Sequence, residues 1–514
     1  MNGEFTLKKS IIVLVASVLS VVYSLSVIMC SVLQCTGSSV LSGNTSSNTM
    51  PSAFGTADSS RSGSFNVSSS DVSSDTAPDP LPAEVITPPD ELPNEPDNNV
   101  SEPSVPVVAP PKNDDSSSSA PSEPTEPTEP PKAVPSSFKS AIWYTYYELS
   151  FIDLDENAFR SKVNKMFDDA VNTGTTDVIC HVRPYADAFY RSAYFPVSYY
   201  VSGSQGTDPG YDPLRYMVSA AHARGLKIHA WINPYRVANS DVISKLSQSS
   251  PAYKWRTDGN SDTDRNVISW GGKLYFNPGR AEVRKLIIDG VREIVDNYDV
   301  DGVQIDDYFY PTSPGATEEF DSTEYNAYKD SSGGNYLSLP DWRRANVSAL
   351  VSGIYSAVHA SKSNVIFGVS PAASISKDHS DANYNSHYAD VAMWMSNKGY
   401  IDYIAPQLYF GYEYKLQNYR FSNLLSLWTS LPRADGVEIY IGLASYKVGT
   451  TDAGSSEWME KNDILGRQVE DSFAAGCNGV IVFSYSSLMD NNSLKKAERD
   501  SYVAAVNSVK SRIG

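Results

Sequence analysis

Eight short β-rich runs alternate with longer helical stretches from residue 141 onward, and this alternation limits the fold of the 514-residue chain more than any other feature. The runs are AIWYTYY (141–147), TDVICHV (176–182), LKIHAWI (226–232), VDGVQID (300–306), VIFGVS (365–370), IDYIAPQLY (401–409), EIYIGLA (438–444) and GVIVFSY (479–485). Between them, AFRSKVNKMFDDAV, DPLRYMVSAAHARG and AEVRKLIIDGVREIVDNY have clear helical periodicity. Asp212-Pro213 offers an N-cap followed by proline at the first helical position, and Gly174 and Gly225 stand where helices stop. Eight strand–helix units predict an α/β fold whose parallel sheet closes into a (β/α)8 TIM barrel. A doubly wound open sheet needs fewer strands and usually a glycine-rich first turn, which WYTYYELS lacks. The long segments 183–211, 233–279 and 307–340 all follow strands, so in a barrel they gather at the C-terminal mouth.

What precedes the barrel cannot build a core. Residues 36–137 hold 18 of the 31 prolines and two aromatics, Phe54 and Phe65. Such a segment buries too little apolar surface to offset its ordering entropy, so a disordered Ser/Pro/acidic linker is expected, with the folded unit at 138–514. The linker carries 15 acids against 3 bases, most of the chain's net charge of −19. A solvated spacer follows, and no basic footprint for nucleic acid is present. Among the four cysteines there is no C-x-x-C and no zinc spacing; Cys180 and Cys477 are expected as buried free thiols rather than a disulfide.

Lys8 and Lys9 precede a run without charge, residues 11–35, long enough to span a bilayer. Residues 1–35 therefore read as a signal peptide or signal-anchor helix with the lysines inside, placing the rest at the outer cell surface, membrane-anchored, or secreted to the wall. VLQC before Thr36 is only loosely a lipidation signal, because Gln34 replaces a small residue.

Strand alternation sorts the candidate chemistry. In DGVQID, Val303 and Ile305 share one face and Gln304 and Asp306 the other; the aliphatic face should meet the helices, so Asp306 points into the mouth and Asp307 begins the loop. The same sorting pairs His181 with Arg183, groups His229, Trp231 and Asn233, and pairs Gln407 with Tyr409. Tyr144, Tyr146, Tyr185, Tyr235, Tyr308, Tyr310 and Tyr412 lie near strand ends, where aromatic faces could pack on sugar rings. Glycoside cleavage needs two carboxyl groups, an acid and a nucleophile or base. Asp306 is the first candidate and Glu148 the second; Asp307, Asp187 and Glu413 remain. The six histidines form no H-E-x-x-H, and no G-x-S-x-G elbow or phosphate loop occurs, so no cofactor or metal is implied.

The segments HVRPYADAFYRSAYFPVS, PGYDPLRYMVSAAHARGLKIHAWINPYRV, YFNPGRAEVRKLIIDGVREIV, YDVDGVQIDDYFYP and FGVSPAAS together resemble the glycosyl-hydrolase-like family 10 of bacterial envelope proteins. The resemblance spans nearly all of 138–490. It implies a TIM barrel, an extracytoplasmic setting and, for some members, cleavage of peptidoglycan glycan strands stripped of stem peptides. Asp306, Asp307 and Glu148 inherit acid roles from the matching DGVQIDDY and WYTYYELS segments. Arg183, Asn233, Tyr235 and Arg236 match the R-P and N-P-Y-R rim motifs and would position substrate. The expectation is a monomeric, membrane-tethered glycoside hydrolase acting on a cell-wall polysaccharide. In that reading Glu148 or Asp307 donates the proton, and Asp306 is nucleophile or base. The competing expectations are a non-catalytic glycan-binding barrel and a metal-dependent polysaccharide deacetylase.

Overall fold

A computed structural model of the chain describes residues 135–311 and 320–513. The signal or anchor segment and nearly all of the expected linker lie outside the described residues, and among the described helices none is long and apolar enough to cross a membrane. Eight parallel strands close a barrel: β1 (Lys139–Tyr144), β2 (Asp177–Arg183), β3 (Lys227–Ile232), β7 (Gly302–Ile305), β8 (Ile366–Val369), β9 (Tyr403–Ile404), β10 (Glu438–Ala444) and β11 (Gly479–Phe483). Each falls within one expected run or within two residues of it. The ring closes where β1 pairs with β11 in the register Ile142 to Val482.

A helix follows every barrel strand: α1 (Glu156–Asn172), α2 (Pro213–His222), α3 (Ala281–Asn297), α4 (Leu339–Ser361), α5 (Val391–Ser396), α6 (Phe421–Ser430), α7 (Ile464–Ala474) and α8 (Ser493–Ile513). The Asp212 side chain caps α2 by accepting from Arg215 N at 3.1 Å, and Gly174 and Gly225 adopt φ of 73° and 72° past the ends of α1 and α2. α7 has a cap the sequence hides. The buried carboxylate of Glu498, on α8, accepts from the backbone N–H of Ile464 and Leu465, each at 3.0 Å. The Tyr502 hydroxyl, also on α8, meets Ser140 Oγ at 2.6 Å and ties the last helix to the first strand.

Two local departures from the expected pattern matter. Segment 233–279 is not a bare loop: it carries a three-stranded antiparallel sheet of β4 (Arg236–Ala238), β6 (Lys273–Phe276) and β5 (Val267–Trp270). The sixth run leaves the ladder early, because Pro406 has no N–H to give; isolated bridges from Gln407 to Ala372 and Gly442 keep it at the mouth.

The barrel has two apolar compartments that follow the two-residue period of its strands. Ile142, Val178, Ile228, Val303, Ile305, Phe367 and Val480 pack outward in the large core under the helices. Ala141, Trp143, Ile179, Trp231, Tyr403, Tyr409, Tyr440, Ile481 and Phe483 fill the interior. The interior also holds rings with polar tips, and glycines make room for them. A Cβ on Gly302 would lie 2.5 Å from His229 Nδ1, and one on Gly368 would lie 2.1 Å from Tyr403 Cζ. Cys180 and Cys477 are buried free thiols, as expected.

Gly368→Ala should therefore push Tyr403 from its seat. Overpacking of this kind costs about 1–3 kcal/mol, to be read as a lower midpoint in denaturant unfolding. An unchanged midpoint would mean that the ring has somewhere else to go.

Candidate active site

At the C-terminal mouth the interior opens into a hollow of about 390 Å³, counting its solvent-open part. Trp143, Trp231, Tyr409 and Phe483 give it aromatic walls; Gln304, Asp306, Asp307, Ser370 and Gln407 supply polar groups, and Tyr308 stands at its edge. Asp306 sits where alternation along β7 places it, inside, while Val303 and Ile305 face the helices. Both carboxyls enter the same hollow because the chain turns out of the strand after Ile305.

Asp306 Oδ2 accepts from the indole N–H of Trp231 at 3.0 Å, and Oδ1 accepts from Tyr308 N at 3.3 Å. These bonds favour the charged form, yet burial, helped by the neighbouring charge of Asp307, pushes Asp306 up to about 7. Burial also raises Asp307, against the pull of His387, whose Nδ1 lies 3.9 Å from Asp307 Oδ2. Burial and mutual repulsion thus both favour retention of a proton by the pair.

Beneath Asp306 a polar column runs down the barrel. Asp177 Oδ1 lies 3.3 Å from His229 Nε2, and His229 Nδ1 lies 3.1 Å from the Tyr403 hydroxyl, which donates to Gln304 Oε1 at 3.2 Å. Gln304 Nε2 is buried with no protein partner and borders the hollow. Beside it the His181 ring stacks on Trp231 at 3.6 Å, and burial holds that imidazole well below its usual range, so it is neutral.

The structure brings Gln304, Asp306, Trp231, Gln407 and Tyr409 together, as alternation predicts, adds Asp307 and Tyr308 from the loop after β7, and moves others elsewhere. Arg183 is a correction. The β2–β3 register shifts between His181 and Arg183, which sends the guanidinium outward over the Phe195 ring at 4.5 Å and against Gly290 of α3. Tyr235 is likewise in the outer core, near Arg284 and Tyr310. Tyr144 faces the shell and donates to Met166 O at 3.0 Å; its neighbour Trp143 is the inward residue. His229 belongs to the column, a layer below Trp231. Asp187, pushed up to about 6 by burial, accepts from Gln205 Nε2 at 3.1 Å and braces segment 183–211.

Glu148 is the largest correction. Its Oε2 accepts from Thr145 N at 2.7 Å; its Oε1 accepts from Ser484 Oγ at 2.8 Å and Ser486 N at 2.6 Å. Both oxygens are engaged in clamping the β1 loop to the β11 loop, and Glu148 does not line the hollow. Glu413 is exposed and also outside it. Tyr412 bonds Asp471 at 2.7 Å, and Tyr310 packs edge-on to Tyr388.

Tyr185, Tyr146 and Arg236 form a second group beside the first. The Tyr185 hydroxyl meets Tyr146 at 3.1 Å and accepts from Arg236 Nη2 at 3.1 Å, and the guanidinium lies over the Tyr185 and Tyr308 rings. Arg236 is near enough to lower both Asp306 and His181. The Asn233 side chain is buried without a protein partner. Trp143, Phe483 and Ser370 are wall residues that the rim-based reading passed over. The alternation Ala141–Trp143 and Ile481–Phe483 is the signal that finds the first two.

The raised Asp306 has a thermodynamic consequence. Between its ordinary value of 3.8 and about 7, the folded protein keeps a proton that the unfolded chain has released. Stability contributed by this group thus falls as pH rises through that window, and the penalty is complete above it. Asp306→Asn, which cannot ionise, should exceed the parent in stability by a few kcal/mol at about pH 8 and differ little at about pH 4. Denaturant unfolding at both pH values checks this; equal differences at the two would contradict it.

The sequence of the Glycosyl hydrolase-like 10 family matches residues 140–460. Glycosyl hydrolase YngK of Bacillus subtilis is 39% identical over 299 residues, covering 55% of this chain and 55% of that protein. Glycosyl hydrolase DigH of Escherichia coli K12 is 33% identical over 333 residues, covering 60% of this chain and 72% of that protein. Among solved structures, the PgaB (BpsB) glycoside hydrolase domain from Bordetella bronchiseptica superposes with a TM-score of 0.47 at 12% identity, over 71% of this chain and 99% of that one. The match to YngK thus spans about half of that relative's length. On the family match over residues 140–460, more than half of its length, the chain belongs to the glycosyl hydrolase-like 10 family.

Proposed function

We propose that this barrel hydrolyses glycosidic bonds, with peptidoglycan glycan strands as its substrate, at the outer face of a membrane to which residues 1–35 tether it. The observation that carries the reading is the Asp306–Asp307 pair, buried side by side in an aromatic-walled hollow at the mouth. Aromatic faces suit the C–H faces of sugar rings, and a protonated carboxyl beside an ionised one is the minimum equipment for acid-assisted cleavage. The two relatives named glycosyl hydrolases support the same class.

The environments support a division of labour opposite to the one read from sequence. Asp306 keeps its proton to about pH 7 and donates it to the leaving glycosidic oxygen. Asp307 is the carboxylate, and its charge stabilises the oxocarbenium-like transition state; water then forms the new bond to the anomeric carbon and gives its proton to the Asp306 carboxylate, which restores the acid. Trp231 and the Tyr308 N–H hold the Asp306 carboxyl in place and stabilise the anion left after transfer.

The test is incubation of the full chain with purified peptidoglycan, with and without stem peptides, and identification of products by mass. Asp306→Asn should lower the rate by about 10²–10⁴-fold while retention on sacculi persists. The parent's rate should fall as pH rises past about 7, where Asp306 loses its proton. A parent protein that binds sacculi yet never releases reducing ends would leave a glycan-binding barrel in place of an enzyme. Sensitivity to chelators with release of acetate would point instead to a deacetylase.

A further inference from the structure

We propose that His387 decides which of the two buried carboxyls keeps the proton, by directing an N–H at Asp307 and holding that residue as the carboxylate. This rests on the two-carboxyl reading above and assigns a positioning residue to it, since His387 does not itself line the hollow. Asp306 and Asp307 each have neighbours that favour charge: Trp231, the Tyr308 N–H and Arg236 for Asp306, and Gln407 for Asp307. A pair so balanced needs a third group to separate its members. His387 is buried, and its Nδ1 lies 3.9 Å from Asp307 Oδ2. That nitrogen has no hydrogen-bond partner among the described residues. Asp381 is the other charged group that acts on the ring, and the Tyr409 hydroxyl lies near both carboxyls.

The segment after β8 is built to seat this ring. Asn383 Nδ2 donates to Ala372 O at 2.9 Å and to Ser374 O at 2.5 Å, and the Asp381 carboxylate accepts from Ser376 N and Tyr384 N, each at 3.1 Å. His387 N then donates to Ala382 O at 3.0 Å, and Ala389 N to Asn383 O at 2.8 Å. Tyr388, next in sequence, is held at φ 54°, a left-handed conformation unfavourable for a tyrosine, while its hydroxyl accepts from Arg343 Nη1 at 2.9 Å. Burial holds the His387 imidazole below its usual range, so it faces Asp307 as a neutral ring. Beside an ionised Asp307 the facing nitrogen carries the hydrogen, because a lone pair there would repel the carboxylate. The N–H dipole acts where water is scarce and such attraction is strong. The gap exceeds a hydrogen bond by about 1 Å, and catalytic hydrogen bonds are often long in the free enzyme and tighten around substrate.

The test is a pH titration of the full chain carrying ¹³C at the aspartate carboxyl carbons, with the two signals assigned through Asp306→Asn and Asp307→Asn. In the parent the lower of the two steps should move the Asp307 signal and the upper step the Asp306 signal. His387→Leu and His387→Phe both delete the N–H, and in each the Asp307 step should rise by about one pH unit, a tenfold gain in proton affinity. His387→Asn, which keeps an N–H where Nδ1 stood, should restore most of the parent's order. On peptidoglycan, the acidic limb of kcat/KM should move up with the Asp307 step in the first two variants and return in the third. A parent in which Asp306 takes the lower step overturns the inference without need of any variant. So does an Asp307 step that stays in place without the N–H, or one that His387→Asn leaves as displaced as His387→Leu does. Titrations that follow His387 in a protein that cleaves no glycan sink hydrolysis and spare the inference; cleavage whose acidic limb ignores His387 does the reverse.

Discussion

Everything at the mouth depends on the two-residue period of β7. One face, Val303 and Ile305, is fully buried beneath the helices, and that burial fixes the strand's rotation. A slip by one residue would turn two aliphatic side chains into the barrel and a carboxylate into the helical shell, a double cost in lost apolar burial and desolvated charge. The opposite face, Gln304 and Asp306, is therefore held inside by its neighbours' hydrophobicity. The carboxyl does not choose its place; the shell chooses it. The raised proton affinity of Asp306 follows from that enforced burial.

The interior shows why such a strand can carry glycine. Gly302 and Gly368 sit opposite rings that need the room, and those rings belong to the column that ends on Gln304. Packing and polar order are thus one design: removing a side chain on two strands admits two large ones on others. The hydroxyl of Tyr403, linked to both His229 and Gln304, is the joint of the column.

The strands, the principal helices and the first carboxylate were legible in the sequence because each depends on local period and flanking glycines or caps. Asp306, Trp231 and Tyr409 needed no more than alternation. The failures have identifiable causes. Arg183 was placed by the same alternation, but the irregularity after His181 adds a residue and reverses the parity. Tyr144 lies near a strand end, but the face of β1 that looks inward is that of Trp143. Glu148 looked like a second acid because its partners, Ser484 and Ser486, are more than 330 positions away. Long-range capping by Glu498 was invisible for the same reason. Local pattern gives direction along a strand; it says nothing about which distant donor will claim a carboxylate.

The Glu148 clamp has a bearing on biogenesis. It joins the first staple of the ring to the last, and the Tyr502–Ser140 contact repeats that union from the outer layer. A ribosome delivering the chain in order leaves this seam open until β11 and α8 have emerged. Phe483, a wall of the hollow, arrives in the same late stretch. The mouth is consequently the part of the molecule finished last, and a partly synthesised chain carries its two carboxyls in a cleft that has not yet been assembled.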